Sequence, residues 1–254
     1  MMKRFYILFA VALAVLGSCG CGKLKKYTVE VVKEYPHDVT SYTQGLFFHD
    51  GQMYESTGMH GESTFRKVDL ETGEALSRID FDKQYFIEGS VMFRDSLYIL
   101  TWENNAAFKY DLNSLTLSSA WSFPREGWGI TTDGEQLIAS DGSSFLYFMD
   151  ENYQVTRRVM VRRDGHPVRW LNELEYIDGK VWANVYTTDD IVIINPQDGK
   201  VEAVVDCTGL LPRTLRDRKT DVLNGIAYNA ADGKIYLTGK YWPRLYEVKL
   251  VKTK

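Results

Sequence analysis

Short runs of alternating apolar and polar residues recur along the chain, and a turn follows each run. "TQGLFF" (43–48), "FIEGSVMF" (86–93), "LNELEY" (171–176) and "LNGIAY" (223–228) open four such runs. A turn and a second run then follow, as in "DGKVWANVY" (178–186). Alternation with a period of two indicates strands rather than helices. The pattern therefore predicts an all-β protein built from short strands.

The runs repeat at a regular interval. A polar or aromatic residue stands before a glycine, or before Glu173 in its place, at spacings of 44, 40, 44 and 52 residues. About four short strands follow each opening, and five such repeats are typical of a β-propeller. The equivalent opening positions are Gln44, Glu88, Trp128, Asn172 and Asn224.

The last repeat ends after three strands, at "RLYEVKL" (244–250). A strand-like segment near the other end of the chain, "YTVEVVKEY" (27–35), is available as its fourth strand. Pairing the two ends removes an exposed sheet edge. We therefore predict a five-bladed β-propeller that is closed by an N-terminal strand pairing into the last blade.

The N-terminus has the pattern of an export signal. Two basic residues precede an apolar stretch, residues 5–16, that is too short to span a bilayer. "LGSCGC" (16–21) resembles a bacterial lipoprotein box, with Cys19 as the lipidation site and Cys21 as the weaker alternative. We predict a signal peptide over 1–18, a tether over 19–26 and a single domain over 27–254. The expected location is the cell envelope, outside the cytoplasm, with a membrane anchor on Cys19.

Composition and charge exclude several classes of protein. The net charge is −4 with both signs mixed along the chain, which argues against a protein that binds nucleic acid. Beyond the signal region Cys207 is the one cysteine, so no disulfide framework is expected. The four histidines lie in scattered turns without the spacing of metal ligands. We therefore predict neither a metal site nor a cofactor.

The five opening positions are expected to meet. In a propeller the first strand of each blade lines the central channel, so equivalent positions converge at one mouth. A single polar residue there is more often a satisfied core group. Four polar groups and one indole around the same mouth indicate a binding or catalytic site.

Longer motifs add a resemblance to a known family. "YTQGL", "EGWGITTDG", "LNELEY", "LNGIAY" and "TGKYWPRLYEV" resemble, in the same order, the plant and bacterial glutaminyl-peptide cyclotransferases (glutamine cyclotransferases). The similarity covers about residues 37–250. It implies a five-bladed propeller enzyme that converts the N-terminal glutamine of peptides or proteins to pyroglutamate and releases ammonia, without a cofactor.

The resemblance also implies roles for particular residues. It places Glu88 as the acid/base, because desolvation in an apolar mouth raises the pKa of a carboxyl group toward the useful range. The expected donors to carbonyl groups and to the oxyanion are Gln44, Asn172 and Lys240. Lys240 has the alternative of extending from a blade edge into solvent. The other expected substrate-binding residues are Tyr42, Phe86, Trp102, Trp128, Tyr186 and Asn224, of which Tyr42 and Phe86 have the alternative of being only core residues.

Two residues depart from the family pattern. Ile87 stands where a small residue is expected, and Tyr186 stands where tryptophan is expected. Ile87 should point away from Glu88, because neighbouring side chains on a strand alternate. Tyr186 keeps an aromatic face, so the wall of the mouth should survive.

The sequence is also compatible with a second function. Propellers host many functions, so the chain is alternatively a non-catalytic propeller that binds a peptide or a sugar at the same mouth. Release of ammonia from a peptide that begins with glutamine separates the two, because a receptor binds without turnover.

Overall fold

The computed structural model describes residues 24–111 and 113–253; the predicted signal peptide and Cys19 lie outside these residues. The described chain is all-β, as predicted, and its one helical segment is a 3-10 turn at Arg213–Leu215. In these two ranges, no helix has the length and apolar character needed to cross a membrane. In chain order the strands are β1 (Lys25–Pro36), β2 (Thr43–His49), β3 (Gln52–Thr57), β4 (Thr64–Val68), β5 (Ala75–Asp80), β6 (Ile87–Phe93), β7 (Ser96–Thr101), β8 (Ala106–Asp111), β9 (Thr116–Ser122), β10 (Ile130–Thr132), β11 (Leu137–Ala139), β12 (Phe145–Met149), β13 (Val155–Met160), β14 (Arg162–Arg163), β15 (His166–Pro167), β16 (Leu171–Ile177), β17 (Lys180–Val185), β18 (Asp190–Ile194), β19 (Val201–Asp206), β20 (Leu223–Asn229), β21 (Lys234–Gly239) and β22 (Arg244–Lys252).

Strands that follow one another in the chain are mostly neighbours in a sheet. Three four-stranded sheets contain β2–β5, β6–β9 and β10–β13, each with sequential antiparallel neighbours. An eight-stranded sheet has the order β16-β17-β18-β19-β1-β22-β21-β20. The short hairpin β14–β15 lies between the third sheet and this large one in the chain. The runs read from the sequence therefore correspond to sheets of hairpin-connected strands.

Strand β1 joins the two ends of the chain. It pairs antiparallel with β22, where Tyr35 stands opposite Leu245, and this confirms the predicted pairing of the N-terminal strand with the last strand. It starts at Lys25, inside the segment predicted as a tether. Its other edge pairs parallel with β19, where Tyr27 stands opposite Val205. This second pairing was not predicted, and it merges the last strands of the chain into one sheet.

Hydrophobic clusters lie between successive groups of strands. Phe47 of β2, for example, packs with Ile87 of β6 and Ile99 of β7. Another cluster joins the end of the chain to its beginning, with Tyr236 of β21 packed near Leu46 of β2. The opening strands of the groups, here called the first strands (β2, β6, β10, β16 and β20), contact one another in turn, and β20 contacts β2. The division into five blades stays a prediction.

Glycine in the repeat allows the first strands to approach closely. A Cβ atom on Gly89 would lie 2.7 Å from the backbone nitrogen of Ile130. One on Gly129 would lie 2.1 Å from the carbonyl oxygen of Asn172. Both distances are far inside van der Waals contact, so any larger residue would push neighbouring first strands apart. The close approach brings the residues that precede these glycines together.

Two buried carboxyl groups of β16 bridge first strands. Glu173 stands in the glycine position, and its two oxygens accept hydrogen bonds from the backbone N–H of Ile226 at 2.9 Å and of Leu46 at 3.3 Å. Glu175 accepts one from the backbone N–H of Tyr228 at 2.9 Å. Burial raises the pKa of both carboxyl groups, to about 8 for Glu175. Neither group has a lysine or arginine partner among the salt bridges of the described residues.

Replacing Glu175 by glutamine should stabilise the protein at neutral pH. The carboxyl group stays protonated to about pH 8 in the folded chain, but it ionises near about pH 4.3 in the unfolded chain. Its contribution to the free energy of unfolding is therefore complete below the lower value and is lost as pH rises toward the upper one. Glutamine keeps an acceptor for Tyr228 and cannot ionise. We expect a gain of roughly 4 kcal/mol at pH 7, from about 1.36 kcal/mol per pH unit above the pKa of the unfolded chain, measured by denaturant unfolding between pH 5 and pH 8.

Glu30→Gln is the matched control, because Glu30 lies exposed on β1. It should leave the pH dependence of stability unchanged. Equal stability of Glu175→Gln and the parent protein at pH 8 would show that Glu175 is not held in its protonated form.

Candidate active site

A cavity of about 310 Å³ opens where the first strands β2, β6 and β16 begin. Every residue predicted for the site lines it except Asn224. Trp170 also lines it and was not predicted. The lining consists of Tyr42, Gln44, Phe86, Glu88, Trp102, Trp128, Trp170, Asn172, Tyr186 and Lys240.

Among the residues that line the cavity, Glu88 is the one with a carboxyl group. The residue is 5% exposed, and its Oε1 accepts a hydrogen bond from Nε2 of Gln44 at 3.0 Å. Burial raises the pKa of Glu88 well above its usual range; the positive charge of Lys240 opposes this shift, and the negative charge of Glu126 adds to it. The group therefore exchanges its proton at a higher pH than an exposed glutamate does.

Lys240 places an ammonium group in the same cavity. Its Nζ lies 4.4 Å from the ring centre of Tyr42 and 5.1 Å from that of Tyr186, which are cation–π distances. The residue is 3% exposed, and burial lowers its pKa, although the carboxylates of Glu88 and Asp221 oppose that shift. The alternative orientation of Lys240, from a blade edge into solvent, is not observed.

Glu126, which was not among the predicted residues, organises the aromatic wall. A single oxygen, Oε2, accepts the indole N–H of Trp102 at 3.0 Å and that of Trp128 at 2.9 Å. Phe86 packs edge-on against Trp102, with ring centres 5.4 Å apart, and Tyr186 packs edge-on against Trp128 at 5.6 Å. The sequence signal for Glu126 was its place in "EGWG", two residues before Trp128.

The two predicted asparagines occupy different places. Asn172 lines the cavity, and its Oδ1 is buried without a hydrogen-bond partner among the described residues. Asn224 is completely buried behind Gln44. Its Nδ2 donates to the carbonyl oxygen of Thr43 at 2.8 Å and lies 3.4 Å from Oε1 of Gln44. Asn224 thus contacts the strand that carries Gln44, and it does not reach the cavity.

The polar groups of the cavity are few. Glu173 and Glu175, although close in sequence to Asn172, bond to backbone N–H groups and stay outside the lining. Across residues 24–111 and 113–253, no three His, Cys, Asp or Glu side chains lie close enough together to hold a metal ion. A molecule bound here would meet the carboxyl group of Glu88, the ammonium group of Lys240 and the amides of Gln44 and Asn172.

Comparison with known proteins identifies the family of the chain. The family profile described as glutamine cyclotransferase matches residues 7–250. The chain belongs to the glutamine cyclotransferase family. It is similar to the glutaminyl-peptide cyclotransferase of Arabidopsis thaliana, with 42% identity over 227 residues that cover 87% of this chain and 71% of that protein. It is also similar to the crystal structure of Myxococcus xanthus glutaminyl cyclase, with a TM-score of 0.85 and 32% identity over 91% of this chain and 100% of that one.

The structure locates both departures from the pattern expected of glutamine cyclotransferases. Ile87 is fully buried and packs with Phe47 and Ile99, so it points away from the cavity, as predicted. Tyr186 lines the cavity and meets Trp128 at an interplanar angle of 84°. The aromatic wall is therefore continuous at Tyr186, and Ile87 does not narrow the opening.

Replacing Glu126 by alanine should loosen both indoles, whereas replacing it by glutamine should not. Trp102 and Trp128 donate to the same oxygen, and the amide oxygen of glutamine has two lone pairs that can accept both hydrogen bonds. We expect a shifted tryptophan emission and a lower fluorescence anisotropy in Glu126→Ala, with a nearly unchanged spectrum in Glu126→Gln. Glu103→Ala, an exposed neighbour of Trp102, is the control. An unchanged spectrum in Glu126→Ala would show that the carboxylate does not hold the indoles in solution.

Proposed function

We propose that the chain is a glutaminyl-peptide cyclotransferase, which converts an N-terminal glutamine to pyroglutamate and releases ammonia. The observation that supports this proposal most directly is the environment of Glu88. Its carboxyl group is buried, has a raised pKa and is held by Gln44 inside a cavity with aromatic walls. A perturbed carboxyl group in a cleft is the arrangement expected of an acid/base catalyst, and simple binding of a peptide or sugar does not require it.

The reaction needs one proton carrier. The α-amine nitrogen attacks the side-chain amide carbon, a new C–N bond forms, and the bond to the amide nitrogen breaks. The attacking nitrogen loses a proton and the leaving nitrogen gains one, so no oxidant, reductant or cofactor is consumed. Burial raises the pKa of Glu88, so its carboxyl group holds a proton more readily than an exposed glutamate does. Glu88 can therefore accept the proton from the attacking nitrogen and return it to the leaving nitrogen.

The other polar groups supply binding and charge stabilisation. A negative charge develops on the amide oxygen during the reaction. We assign its stabilisation to Lys240 and Asn172, because both project into the cavity. Gln44 orients the Glu88 carboxyl group through its hydrogen bond. The aromatic residues contact the aliphatic part of the glutamine side chain and exclude water, which strengthens these electrostatic interactions. The walls are formed by Tyr42, Phe86, Trp102, Trp128, Trp170 and Tyr186.

The architecture we propose is a five-bladed propeller in a single domain; the boundary predicted at residue 27 moves to Lys25, where β1 begins. The blades are β2–β5, β6–β9, β10–β13, β16–β19, and β20–β22 completed by β1. The contacts of the first strands in turn, and the hydrophobic cluster shared by the last and first groups, support this assignment.

Replacing Glu88 by glutamine should lower the catalytic rate without lowering the stability of the folded protein. Glutamine preserves the shape and hydrogen-bonding capacity of the side chain but cannot carry the proton. General acid–base catalysis contributes about 10²–10⁴-fold, so kcat for ammonia release from a glutaminyl peptide should fall by that factor with little change in KM. The melting temperature should not fall, because the substitution removes a desolvated carboxyl group.

Glu175→Gln is the matched control for this experiment, because Glu175 is also buried with a raised pKa but lies outside the cavity. Its kcat should stay close to that of the parent protein. Near-normal turnover in Glu88→Gln would remove Glu88 from the mechanism. Binding of the peptide by the parent protein without ammonia release would favour the non-catalytic alternative.

We also propose that the protein is exported and anchored in the cell envelope through lipid on Cys19. The proposal rests on the apolar segment and the "LGSC" motif. Mass spectrometry of the membrane-extracted protein should find a diacylglyceryl-modified cysteine at residue 19 as the mature N-terminus, and Cys19→Ser should abolish the modification. An unmodified N-terminus at another residue would contradict this proposal without affecting the one about catalysis.

A further inference from the structure

A second depression adjoins the cavity on one side. This outer groove, of about 390 Å³, is lined by Trp128, Asp141, Ser143, Arg169 and Trp170, among others. Trp128 and Trp170 line both the groove and the cavity, so the two spaces share this indole pair as a common wall. Another nearby groove, around Thr187 and Asp221, shares no lining residue with the cavity.

Trp170 is the unusual residue of the groove. Its side chain is among the largest exposed apolar groups of the described chain, at 54% exposure. Its φ angle is +65°, in the left-handed region that bulky residues rarely adopt. Two backbone hydrogen bonds hold it there: its N–H donates to the carbonyl oxygen of Gly142 at 2.8 Å, and its carbonyl oxygen accepts from the N–H of Tyr186 at 2.8 Å. These bonds fix the backbone of Trp170 at the boundary between the cavity and the groove, where its exposed indole lines both spaces.

The indole of Trp128, which packs against Trp170, is also held in place by its contacts. The ring centres of Trp128 and Trp170 lie 6.0 Å apart with an interplanar angle of 35°. The Trp128 N–H donates to Glu126, and its ring lies so close to Gly142 that a Cβ there would be 2.7 Å from it. The two indoles therefore form a preorganised apolar wall, and a ligand that packs on it need not order flexible side chains.

The geometry of the reaction determines what leaves the cavity. The α-amine and the side-chain amide of the glutamine must both lie near Glu88. The α-carbonyl group is not part of the new ring, so it connects to the rest of the peptide and must point toward the opening. The second residue of the peptide then comes next to the indole wall that the cavity shares with the groove.

We propose that the outer groove binds the second residue of the peptide and that Trp170 favours an aromatic side chain at this position. The proposal rests on the cyclotransferase function proposed above. Glu126, Asp141 and Arg169 place charges of both signs in the groove. The Glu126 carboxylate already accepts two indole N–H groups, so charge alone does not define the side chain that binds. Selection instead follows the apolar area and aromatic packing that the indoles offer.

The test compares three substrates, glutaminamide, Gln-Gly-amide and Gln-Phe-amide, by ammonia release from the full mature protein. We expect kcat/KM for Gln-Phe-amide to exceed that for Gln-Gly-amide roughly tenfold, as expected for one well-packed aromatic contact. The difference should lie mainly in KM, because contacts remote from the reacting atoms bind the ground state and the transition state equally. In Trp170→Ala the ratio should fall to within about twofold of unity, and Trp170→Phe should retain part of it.

Leu117→Ala is the matched control, because Leu117 is similarly exposed, at 52%, but lies on β9 away from both spaces. It should keep the parent ratio. A ratio near one in the parent protein, or an unchanged ratio in a folded Trp170→Ala protein, would overturn the assignment of the groove. Absence of ammonia release from all three substrates would instead refute the proposed function.

Discussion

The double pairing of β1 is the constraint on which the rest of the structure depends. A series of antiparallel sheets has two open ends, and each end presents unpaired backbone N–H and C=O groups. Strand β1 occupies the edge of β22 with one side and the edge of β19 with the other. The N-terminal strand is thereby tied to the last two groups of strands, and the first strands contact one another in turn within the same structure.

The site is a product of that convergence. Gln44, Glu88 and Asn172 each occupy the second position of a first strand, and they are separated in sequence by more than 40 residues. The cavity they share is completed by side chains from connecting segments, such as Trp128 and Lys240. The first strands thus supply buried carboxyl and amide groups of the cavity, whereas connecting segments supply much of its wall, which agrees with the general division between scaffold and loops.

Two buried glutamates show how the surroundings decide the behaviour of the same group. Burial favours the neutral form of Glu55 as well, but Arg66 and His37 contact its carboxylate and lower its pKa below the usual range. Glu88 receives a hydrogen bond from neutral Gln44, and the positive charge of Lys240 offsets only part of the effect of burial. The pKa of Glu88 is therefore raised. The charged form of Glu55 is therefore favoured by its partners, whereas the protonated form of Glu88 is favoured by burial.

The alternation of apolar and polar residues along the sequence indicated the all-β class, and the spacing of the repeats indicated groups of about four strands. The pairing of the N-terminal strand with the last one followed from the repeat count, because the last repeat lacks a fourth strand. Together with the family resemblance, the sequence also selected most of the cavity lining. Only the tertiary structure decided that Asn224 lies behind Gln44, that Glu126 holds two indoles, that Trp170 completes the wall and that β1 also pairs with β19. These features depend on the direction of side chains at strand ends and in loops, and on contacts between residues distant in sequence, which no local periodicity encodes.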